Sequence, residues 1–390
     1  MKTLRDVARV CLFVFTLALV HAADDKPLAT TPSTPLAETP TTAFIAQVSD
    51  HFKNWDLDGN GQLSVNELDA IAVNPKITGK EAAAIASLKR ASNSTKVPVP
   101  VMTLDNIVKL SKTPPPALEG PNFPRMYSEG LTKITKANRT VFVAGVPQLA
   151  GIHQGRLGDC FCLAPLGAML HRDPQQVVGM FHVLPDNMCE VKLGKQTVTI
   201  SMPTDAELAM SSSNKQDGVW VNLYEKALGV ARNDAKPEKE RVGVPIDALA
   251  HGGSAGTVLA QITGHDIVRF SCKPFTDEKT PAETKAMKLQ DLRTRLSAAL
   301  REKRLVTCGT PEIKATPGMT PHHAYAVMDY DPKADAIQLW NPHGNNFTPK
   351  DKPSLTAGYP RKDGIFSMPL ADFVQLFSGL AFEQLPKATQ

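Results

Sequence analysis

Gln154-Gly155-Arg156-Leu157-Gly158-Asp159-Cys160-Phe161-Cys162-Leu163 is the stretch on which the fold and the chemistry both turn. Two glycines permit a tight backbone approach, and a cysteine then opens an apolar segment that reads as a helix. A thiol at a helix N-terminus sits at the positive end of the macrodipole, which favours the reactive thiolate. Gln154 precedes Cys160 by six residues. Its amide, together with the Cys160 backbone N–H, would form an oxyanion hole for a tetrahedral intermediate.

A nucleophilic cysteine needs a base and a group that orients the base, usually far downstream. Pro321-His322-His323 leads into Ala324-Tyr325-Ala326-Val327-Met328-Asp329-Tyr330, which reads as a buried strand that begins with its histidines. Asp331-Pro332 starts a turn, and Ala336-Ile337-Gln338-Leu339-Trp340 is the next strand, ending at Asn341-Pro342-His343-Gly344. Such a hairpin can set Asn341 beside His323. The Asn amide oxygen then accepts from one ring nitrogen and leaves the other for Cys160. Asn orients without adding charge, which suits a thiolate–imidazolium pair. Taken singly, a cysteine is usually core packing, a histidine in an apolar strand is usually a satisfied core residue, and Asn-Pro is usually a turn. Their combination with the glycine-flanked cysteine points to catalysis.

A second motif lies upstream. Residues 56–67 fit the twelve-residue calcium loop of an EF-hand. Asp56, Asp58 and Asn60 offer side-chain oxygens at positions 1, 3 and 5. Gly61 permits the sharp turn at position 6, and Gln62 offers its backbone carbonyl at 7. Ser64 at 9 acts through water, and Glu67 at 12 closes the cage with both carboxylate oxygens. Leu63 at position 8 is expected to point into the module, where hands pair through a short strand. Glu81 to Arg90 and Thr103 to Leu110 read as helices around an extended Val97–Val101. That intervening loop lacks acidic ligands, so it is expected to pair with the first hand without binding calcium.

The remaining features bound these readings. The chain has 390 residues, 43 basic and 39 acidic, for a net charge of +4, with no Lys/Arg block. Nothing in that balance points to nucleic acid. Lys2, Arg5 and Arg9 precede an apolar run from Val10 to Val20, and Val20-His21-Ala22 offers small-residue cleavage chemistry. Residues 1–22 are therefore expected to be a signal peptide. The mature protein is expected to be secreted or periplasmic, without a membrane span, because the run is too short to cross a bilayer comfortably. Residues 23–41 are a Thr/Pro-rich linker, 42–112 the small helical module, and 113–119 a Pro-rich linker. Mixed helix and strand follows from residue 120. Once Cys11 leaves with the signal, Cys160, Cys162, Cys189, Cys272 and Cys308 remain, an odd number. At least one thiol is then unpaired within the chain.

The catalytic motifs resemble those of the calpain family of cysteine proteases, within the papain-like superfamily. That family carries Gln-Gly-x-Leu-Gly-Asp-Cys-Trp at the nucleophile, Gly-His-Ala-Tyr at the base and Asn-Pro-Trp-Gly at the orienting Asn. Here they align with Gln154 to Phe161, His322 to Tyr325, and Asn341 to Gly344. The alignment makes His323, not His322, the base. Trp220 to Ala227, Gly252-Gly253 with Leu259 to Gly264, and Asp363 to Phe377 resemble further family segments, so the likeness covers about residues 118–385.

The resemblance implies an α+β fold with a two-lobed papain-like core, here preceded by the small all-α EF-hand pair. A helical lobe, residues 120–298, would carry Cys160. An antiparallel-sheet lobe, residues 299–390, would carry His323 and Asn341. The implied reaction is hydrolysis of protein or peptide substrates through a thioester acyl-enzyme, with Gln154 at the oxyanion. Three departures stand out: Phe161 and His343 replace family tryptophans, and Pro165 falls inside the Cys160 helix, where it removes a backbone bond. The rival reading is a calpain-like calcium-binding interaction protein with impaired catalysis.

Overall fold

The computed structural model describes residues 38–94, 96–143, 146–213, 217–312 and 316–386. The expected signal peptide and nearly all of the Thr/Pro-rich linker lie outside the described residues. The helices and strands all belong to the unit Thr39–Gln390.

Four helices come first: α1 (Pro40–Trp55), α2 (Val65–Ala72), α3 (Gly79–Ser92) and α4 (Leu104–Lys112). The first begins earlier than its apolar spacing suggests, because Thr39 caps it by accepting from the Thr42 N–H and Pro40 supplies a preset φ at N1. Ser64 starts α2 through a capping box in which Ser64 and Glu67 exchange bonds. Leu63 N–H donates to the Met102 carbonyl at 3.0 Å, which joins the loop before α2 to the loop before α4. Both side chains are buried. Val97–Val101 forms no strand, and Met102 just beyond it makes this contact.

The Pro-rich stretch after α4 does not divide the molecule into separate cores. Phe44, Val48, Trp55 and Ile85 pack in one cluster with Phe123, Tyr127, Ala209, Val244 and Ile246 from the rest of the chain. Phe44 stacks on Phe123 with ring centroids 5.6 Å apart. The link is α5 (Phe123–Lys136), which packs along α3.

The remainder alternates helices with two antiparallel sheets. After α6 (Cys160–Arg172) and α7 (Pro174–Val178) comes a three-stranded sheet of β1 (Phe181–Leu184), β2 (Met188–Leu193) and β3 (Gln196–Ser201). Then come α8 (Asp205–Met210), α9 (Trp220–Asp234) and α10 (Ala255–Thr263). A six-stranded sheet is assembled from β4 (Asp266–Ser271), β5 (Val306–Gly309), β6 (Ala324–Asp331), β7 (Ala336–Trp340), β8 (Ile365–Pro369) and β9 (Gly379–Gln384), in the order β4-β9-β5-β6-β7-β8. The helices α11 (Lys273–Thr276), α12 (Ala282–Arg301) and α13 (Leu370–Leu376) lie between its strands in sequence. Mixed helix and sheet, with antiparallel pairing throughout, is the expected α+β class.

Two sequence expectations are corrected by the fold. The division at residue 298/299 falls inside α12, and β4 at Asp266 already belongs to the sheet that bears His323. The reason is topological: β4 pairs with the last strand, β9, a contact between residues more than a hundred apart. The strand after the two histidines starts at Ala324 rather than at the histidines themselves.

No helix among the described residues is long and apolar enough to cross a membrane.

Candidate active site

Cys160 is the first residue of α6, as its sequence context predicts, and Asp159 stands at the N-cap. The helix is buried from Cys160 to Leu170 and continues through Pro165. Pro165 leaves the Phe161 carbonyl without its helical donor, and the Tyr224 hydroxyl donates to the next carbonyl, that of Cys162, at 2.9 Å. Gly167 fixes the position of α6. A Cβ there would lie 2.3 Å from the Trp340 ring, so only glycine lets that indole close on the helix. Trp340 ends β7 and Asn341 follows it, so this contact seats the cysteine helix against the segment that bears Asn341.

Asn341 and His323 meet as the hairpin reading requires. His323 Nε2 lies 2.9 Å from Asn341 Oδ1, and both residues are buried. The His343 backbone N–H also donates to Asn341 Oδ1, at 3.0 Å. A backbone donor identifies that atom as the amide oxygen, so His323 must carry its proton on Nε2. Nδ1 is left as the acceptor of the ring, the tautomer a general base needs. His323 is held on its backbone side by Thr310, whose hydroxyl accepts from the His323 N–H at 3.0 Å. Tyr325 stands edge-on to the ring with centroids 5.0 Å apart.

The two adjacent histidines differ as expected, for a different reason. His322 is not in the strand; it sits at φ 48 with its N–H bonded to the Pro311 carbonyl, and its side chain is exposed. A residue in a left-handed turn, not a strand residue, thus precedes buried His323.

Cys160 and His323 line one cleft of about 760 Å³, together with residues of β4, β5 and β9 and with Gly252 and Gly253. Burial pushes the Cys160 thiol up to about 11, Asp159 adds to this, and the amides of Ala324 and Phe161 oppose it. Burial, then His343 and Arg361, push His323 down to about 3 against the pull of Asn341. Burial of the two side chains thus favours a neutral thiol and a neutral imidazole.

Gln154 is placed differently. Its N–H donates to the Pro342 carbonyl at 2.9 Å, which ties its loop to the turn after Asn341. The residue borders a separate cavity of about 480 Å³ with Lys133, Glu129 and Met210, and its Oε1 is buried without a partner. The structure thus unites Cys160, His323 and Asn341, and sets Gln154 on the neighbouring side of the same loops.

Residues 131–382 match the calpain family cysteine protease profile. The chain belongs to the calpain family. No curated protein matches it closely enough to count as a relative. In this calpain-family chain the matched segment begins within α5 and ends within β9, so it holds Cys160, His323 and Asn341 and nearly all of both sheets.

The sequence motifs missed several residues of this calpain-family site. Thr310 lies in no motif. Tyr325 closes the His322–Tyr325 motif, yet only the packed structure shows it against the base. Glu225 is fully buried, lies beside Asp159 and accepts from the Ser212 N–H at 3.0 Å. Burial first, then Asp159, raise its pKa well above the ordinary carboxylic value, which favours the neutral acid.

The upstream loop is also assembled. Oxygens of Asp56, Asp58 and Glu67 lie within 4.8 Å of one another. Glu67 accepts from the N–H groups of Leu57, Asp58 and Ser64 and from the Ser64 hydroxyl. Those bonds outweigh burial and hold its carboxyl below the usual range. Asp56 accepts from the N–H groups of Asn60 and Gly61, and Asn60 Oδ1 from that of Gln62. Gly61 adopts φ 78, as the turn at that position demands.

All five cysteines among the described residues are free and buried.

Proposed function

We propose that this calpain-family chain is an exported cysteine endopeptidase that cleaves protein or peptide substrates through a Cys160 thioester. The observation that supports it most is the His323–Asn341 bond on the cleft that Cys160 also lines. Its fixed tautomer leaves His323 Nδ1 free to accept a proton. During attack, Cys160 Sγ bonds to the scissile carbonyl carbon while His323 takes the thiol proton. The tetrahedral oxyanion is held by the Cys160 N–H at the helix start, and Gln154, which borders the neighbouring cavity, joins it by turning its amide toward Cys160. Collapse forms the thioester and expels the amine, which takes the proton back from His323. Water, activated by His323, then releases the acid and restores the thiol. Asn341 supports the imidazolium throughout without a competing charge.

In the same reading the helix–loop–helix pair around Leu63 and Met102 is an EF-hand pair, and its first loop takes one calcium. Asp56, Asp58, Asn60, Gln62, Ser64 and Glu67 would hold it. The hard oxygen donor set and the gathered Asp56, Asp58 and Glu67 carboxylates fit that ion. Bound calcium would neutralise the loop's carboxylates. Export rests on the leader read in residues 1–22.

The test is digestion of a denatured protein mixture, with and without calcium, by wild type, Cys160→Ala, His323→Ala and His322→Ala. Cleavage lost in the first two variants and retained in His322→Ala supports the assignment. Cleavage retained in Cys160→Ala overturns it. A wild type that binds peptide without cutting it, under both conditions, supports the interaction-protein alternative instead.

A further inference from the structure

The cleft that holds Cys160 and His323 has a one-sided charge. Its lining includes Lys96, from the loop between α3 and α4, and Arg269, from β4. His251 and His322 add two imidazoles, which are neutral or positive and never negative. No Asp or Glu lines it among the described residues. Neither cation is neutralised: Arg269 reaches only the Ser254 hydroxyl, at 3.3 Å, and the Lys96 ammonium makes no ion pair among the described residues. Both side chains are exposed. Several cations elsewhere are paired. Glu129 pairs with Arg90, Arg125 and Arg156, and Asp335 pairs with Arg293. Asp159, the carboxylate nearest to Cys160 in sequence, is wholly buried behind it.

From this arrangement we infer that the cleft selects acidic peptide segments, with Arg269 and Lys96 as the specificity-determining residues. The inference rests on the peptidase reading of the same site. An aspartate or glutamate near the scissile bond meets unpaired cations inside a walled cleft, where field lines are focused. A lysine or arginine there meets only like charge. The apolar walls at Phe270 and Leu380 accommodate the substrate's aliphatic parts, and the glycine pair of half-buried Gly252 and exposed Gly253 leaves room for the chain. Lys96 comes from the helical module, so that module contributes to substrate choice as well as to the shared core.

The experiment uses the full-length mature protein and peptides identical except for one position near the cleaved bond, occupied by Glu, Gln or Lys. At low salt kcat/KM should fall in the order Glu, Gln, Lys, by roughly two- to fivefold per step, the scale of one exposed charge pair. The preference should shrink as ionic strength rises past the point where the Debye length is about 10 Å. Arg269→Glu should invert it, Arg269→Ala should flatten it, and Lys96→Glu should weaken it. Equal rates for Glu and Gln peptides at low salt, or an unchanged ratio in Arg269→Glu, would overturn the inference. Binding of the same peptides to Cys160→Ala separates the two readings. If no peptide is cut by wild type, the peptidase reading fails, and tighter binding of the Glu peptide still decides for acid selection. Equal binding of Glu and Lys peptides decides against it.

Discussion

His343 stacks on His323, with ring centroids 4.5 Å apart and planes 10° from parallel. From sequence, the imidazole in place of a family tryptophan is expected to leave the His323–Asn341 bond wetter. The structure changes the reason. The His343 ring covers one face of His323, and its effect is electrostatic: a proton on either ring repels a proton on the other. After burial, His343 is the next largest influence holding His323 down. Burial lowers His343 itself as well.

His343→Asn should therefore move the acid limb of the kcat/KM profile to higher pH. The sign follows from both causes, since a smaller neutral side chain relieves burial and removes the repulsion, and each raises the His323 pKa. In wild type that limb should lie below the usual imidazole value of about 6.5. His343→Trp should raise kcat/KM severalfold, equivalent to about 1 kcal/mol or less, by keeping the cover without the competing charge. An acid limb identical in wild type and His343→Asn would remove His343 from the account.

Iodoacetamide at limiting dose should modify Cys160 alone. It lines the cleft and is the most exposed of the five at 9%; Cys308 reaches the same lining but is 4% exposed, and Cys162, Cys189 and Cys272 are sealed in the cores. Because the thiol is pushed up to about 11, the labelling rate should climb with pH through the alkaline range. Mass spectrometry locates the adduct. Modification of Cys162 first, or a fast rate that does not change with pH, would contradict this picture of a neutral buried thiol.

Glu225→Gln should be tolerated and should stabilise the protein as pH rises. Glu225 faces Asp159, Ser212, Cys162 and Lys133, and burial first, then Asp159, raise its pKa and favour the neutral acid. The sign follows from linkage: stability from a raised pKa is complete below the unfolded carboxyl value of about 4.3 and is lost as pH climbs through the folded value. Gln is neutral at every pH, can donate to Asp159 and can accept from Ser212. The Tm of Glu225→Gln and wild type should agree near pH 5 and diverge in favour of Gln at pH 9. A lower Tm for Gln at pH 9 would mean the fold requires the charged acid.

Lys89→Met should destabilise the protein strongly. Lys89 is fully buried in α3 and bridges Asp69 of α2 and Asp247 of the short helix Pro245–Leu249, the latter at 2.7 Å. Removing one cation leaves two buried carboxylates facing each other, a loss of roughly 3–5 kcal/mol. Adding Asp69→Asn and Asp247→Asn should recover much of it. Chemical denaturation of the single and triple variants measures both, and a single variant as stable as wild type would show that the bridge contributes nothing.

The primary sequence by itself was sufficient for the local facts. A glycine-flanked cysteine before an apolar run specifies a thiol at a helix start, because the helix signal is written in neighbouring residues. Twelve residues from Asp56 to Glu67 specify an oxygen-lined turn, since every donor lies within one loop. Ala336 to Trp340 and the asparagine after them specify a strand and its end. Tertiary structure decided whatever depended on residues far apart in the chain. It placed His343 over His323 rather than in an exposed turn and sent β4 to pair with β9. It fused the helical module and the rest into one core through Phe44 and Phe123, and it gathered Lys96 and Arg269 on one cleft. Hydrophobic periodicity says which face of an element is buried, but not which distant face buries it. That choice is made by shape and by the pairing of buried charges, as Gly167 beneath Trp340 and Lys89 between Asp69 and Asp247 illustrate.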